Sequence, residues 1–316
     1  MDTMRRTLIP VLIGLLLFSA AGACGYHAKP TPRPVDLSAA GQPVPTLENF
    51  ILPLPSEAEF RFAAYGDTRD GHAAHRRIIE GVVASGPAFV LQTGDLVSDS
   101  SVSSQWVTFD DITLKMRSTI PYYPARGNHD NQGGTFFDEY LPTEGIHREG
   151  FYYSFDKGRL HFIAIDTEDD LVASGPQYTW LEADMKKAKT EDRFIIPYYH
   201  KAIYSIGPHA TQRDVLELRP ILHDLFRKYD VKLVFQGHDH IYYRTLRDGI
   251  VYVVTGGGGA PLYSTRHPEM ALPEDVSEVV HHFCIGDVFS DRIVVSVFRL
   301  DLSRLDHFTV EVPKEH

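Results

Sequence analysis

The run Val234-Phe235-Gln236-Gly237-His238-Asp239-His240 limits most tightly what this chain can fold into. A stretch of β-branched and aromatic residues (Val231, Leu233, Val234, Phe235) stops at a glycine, and two histidines follow with one residue between them. On extended chain leaving a strand, alternate side chains share a side, so His238 and His240 can point the same way. Two imidazoles presented together suit a transition metal. Three earlier segments end alike: Ala63-Ala64-Tyr65-Gly66-Asp67, Val90-Leu91-Gln92-Thr93-Gly94-Asp95 and Pro124-Ala125-Arg126-Gly127-Asn128-His129-Asp130. At each, a predicted strand gives way to glycine plus Asp, Asn or His. The glycine frees the backbone for a sharp turn. The next side chain is thrown to the strand's carboxyl edge, where ligands gather in α/β sheets. Taken singly, Asp67 or Asp95 would more often cap a helix than bind a metal. Their recurrence with the other motifs predicts a metal centre.

The chain has 316 residues, enough for one large domain or at most two. With 43% hydrophobic and 23% charged residues it reads as globular. A formal charge of −11 argues against general nucleic-acid binding, so none is expected. A local cationic site can still hold phosphate, because bound metal ions outweigh distant carboxylates. No Gly-x-Ser-x-Gly elbow occurs, which removes a serine-hydrolase reading.

Residues 1–23 read as a signal peptide: Arg5 and Arg6, an apolar run from Leu8 to Phe18, then the small residues Ala21-Gly22-Ala23. The run is shorter than the roughly 20 residues a membrane span requires. Cys24 follows at once, and Ala-Gly-Ala-Cys resembles a bacterial lipobox with alanine where leucine is usual. Export to a bacterial cell envelope is expected, with Cys24 lipidated and serving as the membrane anchor. Cys284 is the one other cysteine, so no disulfide framework exists. Residues 24–58 are rich in proline (Pro30, Pro32, Pro34, Pro43, Pro45, Pro53, Pro55) and are expected to form an extended tether. Residues 59–316 are expected to form a single α/β domain.

Within that domain the periodicity predicts strands over 60–65, 88–93, 122–125, 151–156, 160–166, 194–199, 251–255, 283–288, 293–300 and 308–312. Helices are predicted over 72–84, 104–117, 177–189 and 214–228. The order is βαβαβ followed by a β-rich end.

The series Gly66-Asp67, Gly94-Asp95, Gly127-Asn128-His129-Asp130, His200 and Gly237-His238-Asp239-His240 resembles the calcineurin-like metallophosphoesterases. The likeness is nearest to the purple-acid-phosphatase branch. His200-Lys201-Ala202-Ile203-Tyr204 is similar to that branch's His-x-Pro-x-Tyr segment, with Ala202 in place of proline. The resemblance implies a four-layer αββα sandwich and a two-metal site of Fe, Mn or Zn that hydrolyses a small phosphorylated substrate. It makes Asp95 the bridging carboxylate, with Asn128, His200 and His238 completing one site and Asp67 and His240 belonging to the other. A bridging hydroxide would attack phosphorus directly and in line. His129 would touch the phosphate or protonate the leaving oxygen, and Asp130 would orient that imidazole.

The chain departs from the pattern in one respect. Where many members have Asp-x-His it has Asp67-Thr68-Arg69, and Ser98 stands where the purple enzymes place a compensating tyrosine. His75, or failing that His72, is the expected replacement ligand; the competing reading is an exposed helix histidine. Arg69 stays protonated and cannot ligate; it is expected to clamp substrate phosphate or to pair with Asp67 or Asp70. His209 is a further substrate-binding candidate. Gly256-Gly257-Gly258-Gly259 either carries backbone close under the site or forms a flexible turn. Two functions follow: an exported phosphoesterase acting on monoesters or, next, diesters, and a non-catalytic binding lipoprotein whose first metal site has decayed.

Overall fold

The computed structural model describes residues 46–47, 50–169 and 171–312. The signal segment, Cys24 and most of the proline-rich stretch lie outside the described residues. In chain order the first elements are β1 (Phe60–Tyr65), α1 (His72–Ser85), β2 (Phe89–Gln92), α2 (Ser103–Arg117) and β3 (Tyr122–Pro124). Next come β4 (His147–Glu149), β5 (Tyr152–Lys157), β6 (Leu160–Ile165), α3 (Pro176–Thr190), β7 (Phe194–Tyr199), α4 (Arg213–Lys228) and β8 (Leu233–Gln236). The β-rich end holds β9 (Tyr242–Arg247), β10 (Ile250–Thr255), β11 (Val276–Glu278), β12 (His282–Val288), β13 (Arg292–Arg299) and β14 (Arg304–Glu311).

The strands form two sheets, ordered β14-β13-β12-β1-β2-β3 and β11-β9-β10-β8-β7-β6-β5-β4. In the first, β1, β2 and β3 run parallel; in the second, β6, β7, β8 and β10 do. The sheets pack face to face through aromatic rings. Phe62 of β1 meets Phe162 and Phe235 at 5.6 and 5.9 Å, and Phe89 meets Phe162 at 5.1 Å. Edge-on contacts at such distances add to what ring burial alone contributes. Neighbouring residues then serve opposite faces: Phe235 belongs to the inter-sheet core and Val234 to the layer under α4. Helices α1 and α2 bury Ile78, Val82, Phe109 and Met116 against the first sheet. Helices α3 and α4 bury Leu181, Met185, Leu222 and Phe226 against the second. The result is the helix–sheet–sheet–helix sandwich.

The packed domain begins before Glu59. Phe50 is buried edge-on against Phe298 at 5.4 Å, and the carbonyls of Leu52 and Pro53 accept from the Arg61 guanidinium. Proline in this segment sets extended backbone that lies along the domain. Strands β4, β9 and β11 are not among the expected strands; β9 forms by pairing with β10 from Tyr242 to Arg247. No described helix is long and apolar enough to cross a membrane.

Candidate metal centre

The parallel strands β1, β2, β3, β7 and β8 all deliver their carboxyl ends to one edge, and there Asp67, Asp95, Asn128, His200 and His238 meet. Backbone bonds fasten these ends together. The amides of Asp67 and Thr68 donate to the carbonyls of Gly94 and Asp95, both at 2.9 Å, and that of Gly237 donates to His200 at 3.0 Å. The turns are strained as well as tight. Asp67, Asp95 and His238 sit at φ values of 58, 59 and 69°, a region that non-glycine residues rarely occupy. Two glycines make the approach possible. A Cβ on Gly94 would stand 2.6 Å from His200 Nδ1, and one on Gly127 would stand 2.3 Å from Asp95 Oδ1.

Second contacts fix which ring nitrogen carries a proton. His200 Nδ1 lies 2.9 Å from the Thr93 carbonyl, which can only accept, so this nitrogen donates. Its Nε2 then faces Asp95 Oδ1 at 3.3 Å, Asn128 Oδ1 at 3.0 Å and His238 Nδ1 at 3.0 Å. In the same way His240 Nδ1 donates to the Pro261 carbonyl at 2.7 Å, and its Nε2 faces Asp67 Oδ1 at 3.4 Å. Histidine ligands are oriented in this manner in metal sites. Donors bonded at about 2.1 Å to one ion stand roughly 3.0–3.4 Å apart in octahedral or tetrahedral geometry. The separations around His200 Nε2 fall in that range, so Asp95, Asn128 and His238 each stand where a ligand beside His200 would stand; Asp67, Asp95 and His200 also turn one ligand atom each to within 4.8 Å of one another. Asp67 and His240 form a second, smaller donor group.

Electrostatics point the same way. Burial lowers the His200 pKa, but Asp95, then Asp67 and Glu168, outweigh it and push the group up to about 9. The carboxylates call for a positive charge at this nitrogen, whether proton or metal. Burial, followed by the nearby His200, holds His238 well below the ordinary imidazole range. Its Nε2 is buried without a hydrogen-bond partner.

The flanking residues fall into distinct places. His129 donates its amide to Asp95 Oδ1 at 3.0 Å, and its ring Nδ1 donates to the Ser98 carbonyl at 2.6 Å. This leaves Nε2 facing Asp95 Oδ2 at 4.0 Å. The ring is thus oriented by Ser98 and not, as expected, by Asp130. The Asp130 carboxylate instead accepts the amides of Asp95, Leu96 and Gly127 at 2.8, 2.9 and 2.9 Å. It staples the turn after β2 to the turn after β3. Burial, then the Asp95 charge, pushes its pKa up to about 8.

The His209 ring lies tilted by 35° against that of His238 with centroids 3.9 Å apart, and its Nδ1 lies 2.7 Å from Asp239 Oδ1. Arg69 lies at the centre, with Nε 3.4 Å from Asp95 Oδ2 and Nη1 3.1 Å from Asp70. His75 is not brought to the cluster. Helix α1 turns it inward between Tyr65 and Phe109, with ring centroids at 6.0 and 5.8 Å, and burial drives its pKa down to about 3. The Gly256–Gly259 run passes directly under the site: Gly258 and Ala260 donate to Gly66 and Asp67, each at 2.8 Å.

Two residues here escape sequence reasoning. Asp239, between the paired histidines, holds both His209 and the Ser205 hydroxyl; its acidic character within Gly-His-x-His was the available signal. Tyr263 stacks on His240 at 3.9 Å and 12° after a long loop, and no local pattern marks it.

Comparison with known proteins agrees with this geometry. The family model for calcineurin-like phosphoesterases matches residues 60–242. Purple acid phosphatase 18 of Arabidopsis thaliana is 28% identical over 211 residues, covering 59% of this chain and 48% of the relative. A nucleotide pyrophosphatase/phosphodiesterase of Hordeum vulgare is 27% identical over 230 residues, covering 59% and 62%. This chain therefore spans about half the length of the first of these relatives. Among solved structures, the purple acid phosphatase PPD1 of yellow lupin superposes with a TM-score of 0.68 at 23% identity, covering 82% of this chain and 55% of that one. At that identity the likeness speaks for the fold. With most of the domain matched by the family model and the strand-end residues gathered at one edge, the chain belongs to the calcineurin-like phosphoesterase family.

Proposed function

We propose that this protein is an exported, metal-dependent phosphoesterase that hydrolyses phosphomonoesters. The observation that carries the reading is the convergence of side chains on His200 Nε2. Asp95 Oδ1, Asn128 Oδ1 and His238 Nδ1 all lie within 3.3 Å of that nitrogen, and Asp67, Asp95 and His200 together present a buried group of metal-ligating atoms. Such a set suits Zn, Mn or Fe. The bound metal would supply Lewis acidity toward the phosphoryl oxygens and a more acidic water.

The chain's own residues do the rest. Asp95 and Asn128 orient and charge-balance the centre from the carboxyl ends of β2 and β3. His129 and His209 each have Nδ1 tied to an oxygen, so each offers Nε2 to the reacting group. One positions the phosphoryl oxygens and the other returns a proton to the leaving oxygen. Water attacks phosphorus in line; the P–O ester bond breaks, and the products are phosphate and an alcohol. No covalent phosphoenzyme forms. The half-exposed side of the centre, where Arg69 and His129 sit, receives the ester.

Diester hydrolysis is the second reading, favoured by the Hordeum relative's name. The N-terminal sequence supports export and anchoring through Cys24. The test of function compares p-nitrophenyl phosphate with bis(p-nitrophenyl) phosphate at saturating manganese. Preference for the monoester supports the proposal, and preference for the diester replaces it with the second reading. No turnover of either, with metal bound, leaves a binding lipoprotein.

A further inference from the structure

The two donor groups at the centre are unequally provided. His200 has Asp95, Asn128 and His238 around it; the other group has Asp67 and His240, and Asp95, which stands with Asp67 and His200, leaves its Oδ2 to be shared. That shared oxygen already has a cation. Arg69 Nε stands 3.4 Å from it, nearer than His129 Nε2 at 4.0 Å. The far end of the guanidinium is held too. Nη2 donates to the Tyr263 hydroxyl at 3.2 Å and Nη1 to Asp70 at 3.1 Å, while the Tyr263 ring lies flat on His240. The root of the side chain is equally fixed. Asp67 and Thr68 are laced to the Asp95 strand end through their amides, and the Thr68 hydroxyl donates to Leu96 at 3.0 Å. Arg69 therefore leaves a backbone that cannot swing from Asp95. Its charge is permanent, and it has no lone pair to give. A second metal ion held by Asp67, His240 and Asp95 would compete with it for Oδ2. That ion would also face a fixed positive charge in a place where little water screens the repulsion.

We propose that the chain holds one metal ion, on Asp95, Asn128, His200 and His238, and that the Arg69 guanidinium serves as the second cation of the centre. This rests on the metal-dependent reading given above. Asp95 is then shared between a metal and an arginine. Arg69 Nε faces Asp95 as an ion pair without a hydrogen bond, and the N–H groups not engaged by Asp70 and Tyr263 remain for a phosphoryl oxygen, as charge-assisted donors. The Asp67–His240 pair stays an incomplete site, able to take an ion once Arg69 is gone.

The test counts metal. Full-length protein is stripped with chelator, equilibrated with manganese, freed of excess and analysed for manganese per chain. The expected result is one per chain in the wild type and in Arg69→Lys, which keeps the charge, and two in Arg69→Ala and Arg69→His. Circular dichroism and melting temperature establish that each variant is folded. Two ions in the wild type would overturn the proposal and leave the phosphoesterase reading standing. One ion in every folded variant would overturn it as well. No bound metal in any of them would overturn both.

Discussion

His161 and His200 are both buried histidines among carboxylates, the first beneath α3 and the second at the edge of the sheets. Around His161 every charge has an answer. Nδ1 meets Asp156 at 2.7 Å and Nε2 meets Asp184 at 2.8 Å; Asp184 also receives His147 at 3.3 Å, and Asp156 receives Arg193 at 3.2 Å. All three central residues lie in regular elements, on β5, β6 and α3. Around His200, Nε2 faces three acceptors, His238 Nε2 has no partner, and three residues of the cluster hold left-handed backbone. A buried ion pair that is complete explains itself as structure. One that is incomplete and strained asks for something from outside the chain, and a metal ion supplies it.

Breaking each cluster should separate the two. Asp95→Asn is expected to lower kcat/KM for p-nitrophenyl phosphate by about 10³-fold or more, roughly 4 kcal/mol of transition-state stabilisation. A rate within tenfold of wild type would place the chemistry elsewhere. Asp184→Ala should do the reverse. It leaves His161 buried with one carboxylate and costs about 3 kcal/mol in urea unfolding, with kcat and metal content unchanged. A change in kcat would mean that the two clusters communicate.

The pH response sharpens the same contrast. Burial opposes it, but Asp184 and then Asp156 raise the His161 pKa above its ordinary value. A raised folded-state pKa stabilises fully below the unfolded value and loses its effect as pH climbs through the folded one. The stability difference between wild type and His161→Gln, measured by urea unfolding, should therefore be large at pH 6 and shrink by pH 9. A difference that does not vary with pH would show that His161 acts by packing alone. The smallest effect is expected of His75→Leu. Its ring lies among aromatics, so manganese content should not change; loss of an ion would return it to the ligand set.

Much of the site was legible because it is local. Glycine followed by Asp, Asn or His at a strand end is a pattern of adjacent residues, and the parallel sheet order brings four such ends together. The second contacts were not legible. Asp130 lies beside His129 in sequence, yet its carboxylate reaches back across the fold to the Asp95 and Leu96 amides. Arg69 and Asp95, or His240 and Tyr263, become neighbours only after the chain has closed. Likewise Phe50 looked like tether because proline surrounds it, and only the face of Phe298 shows why it packs.

On the proposed reading, the side chains that converge on His200 Nε2 hold a catalytic metal. The most direct test measures p-nitrophenyl phosphate hydrolysis by chelator-stripped protein before and after manganese is restored. Stripped, folded protein is expected to show almost no turnover and to recover most of the rate on refilling. Full turnover from protein shown by elemental analysis to be metal-free would contradict it.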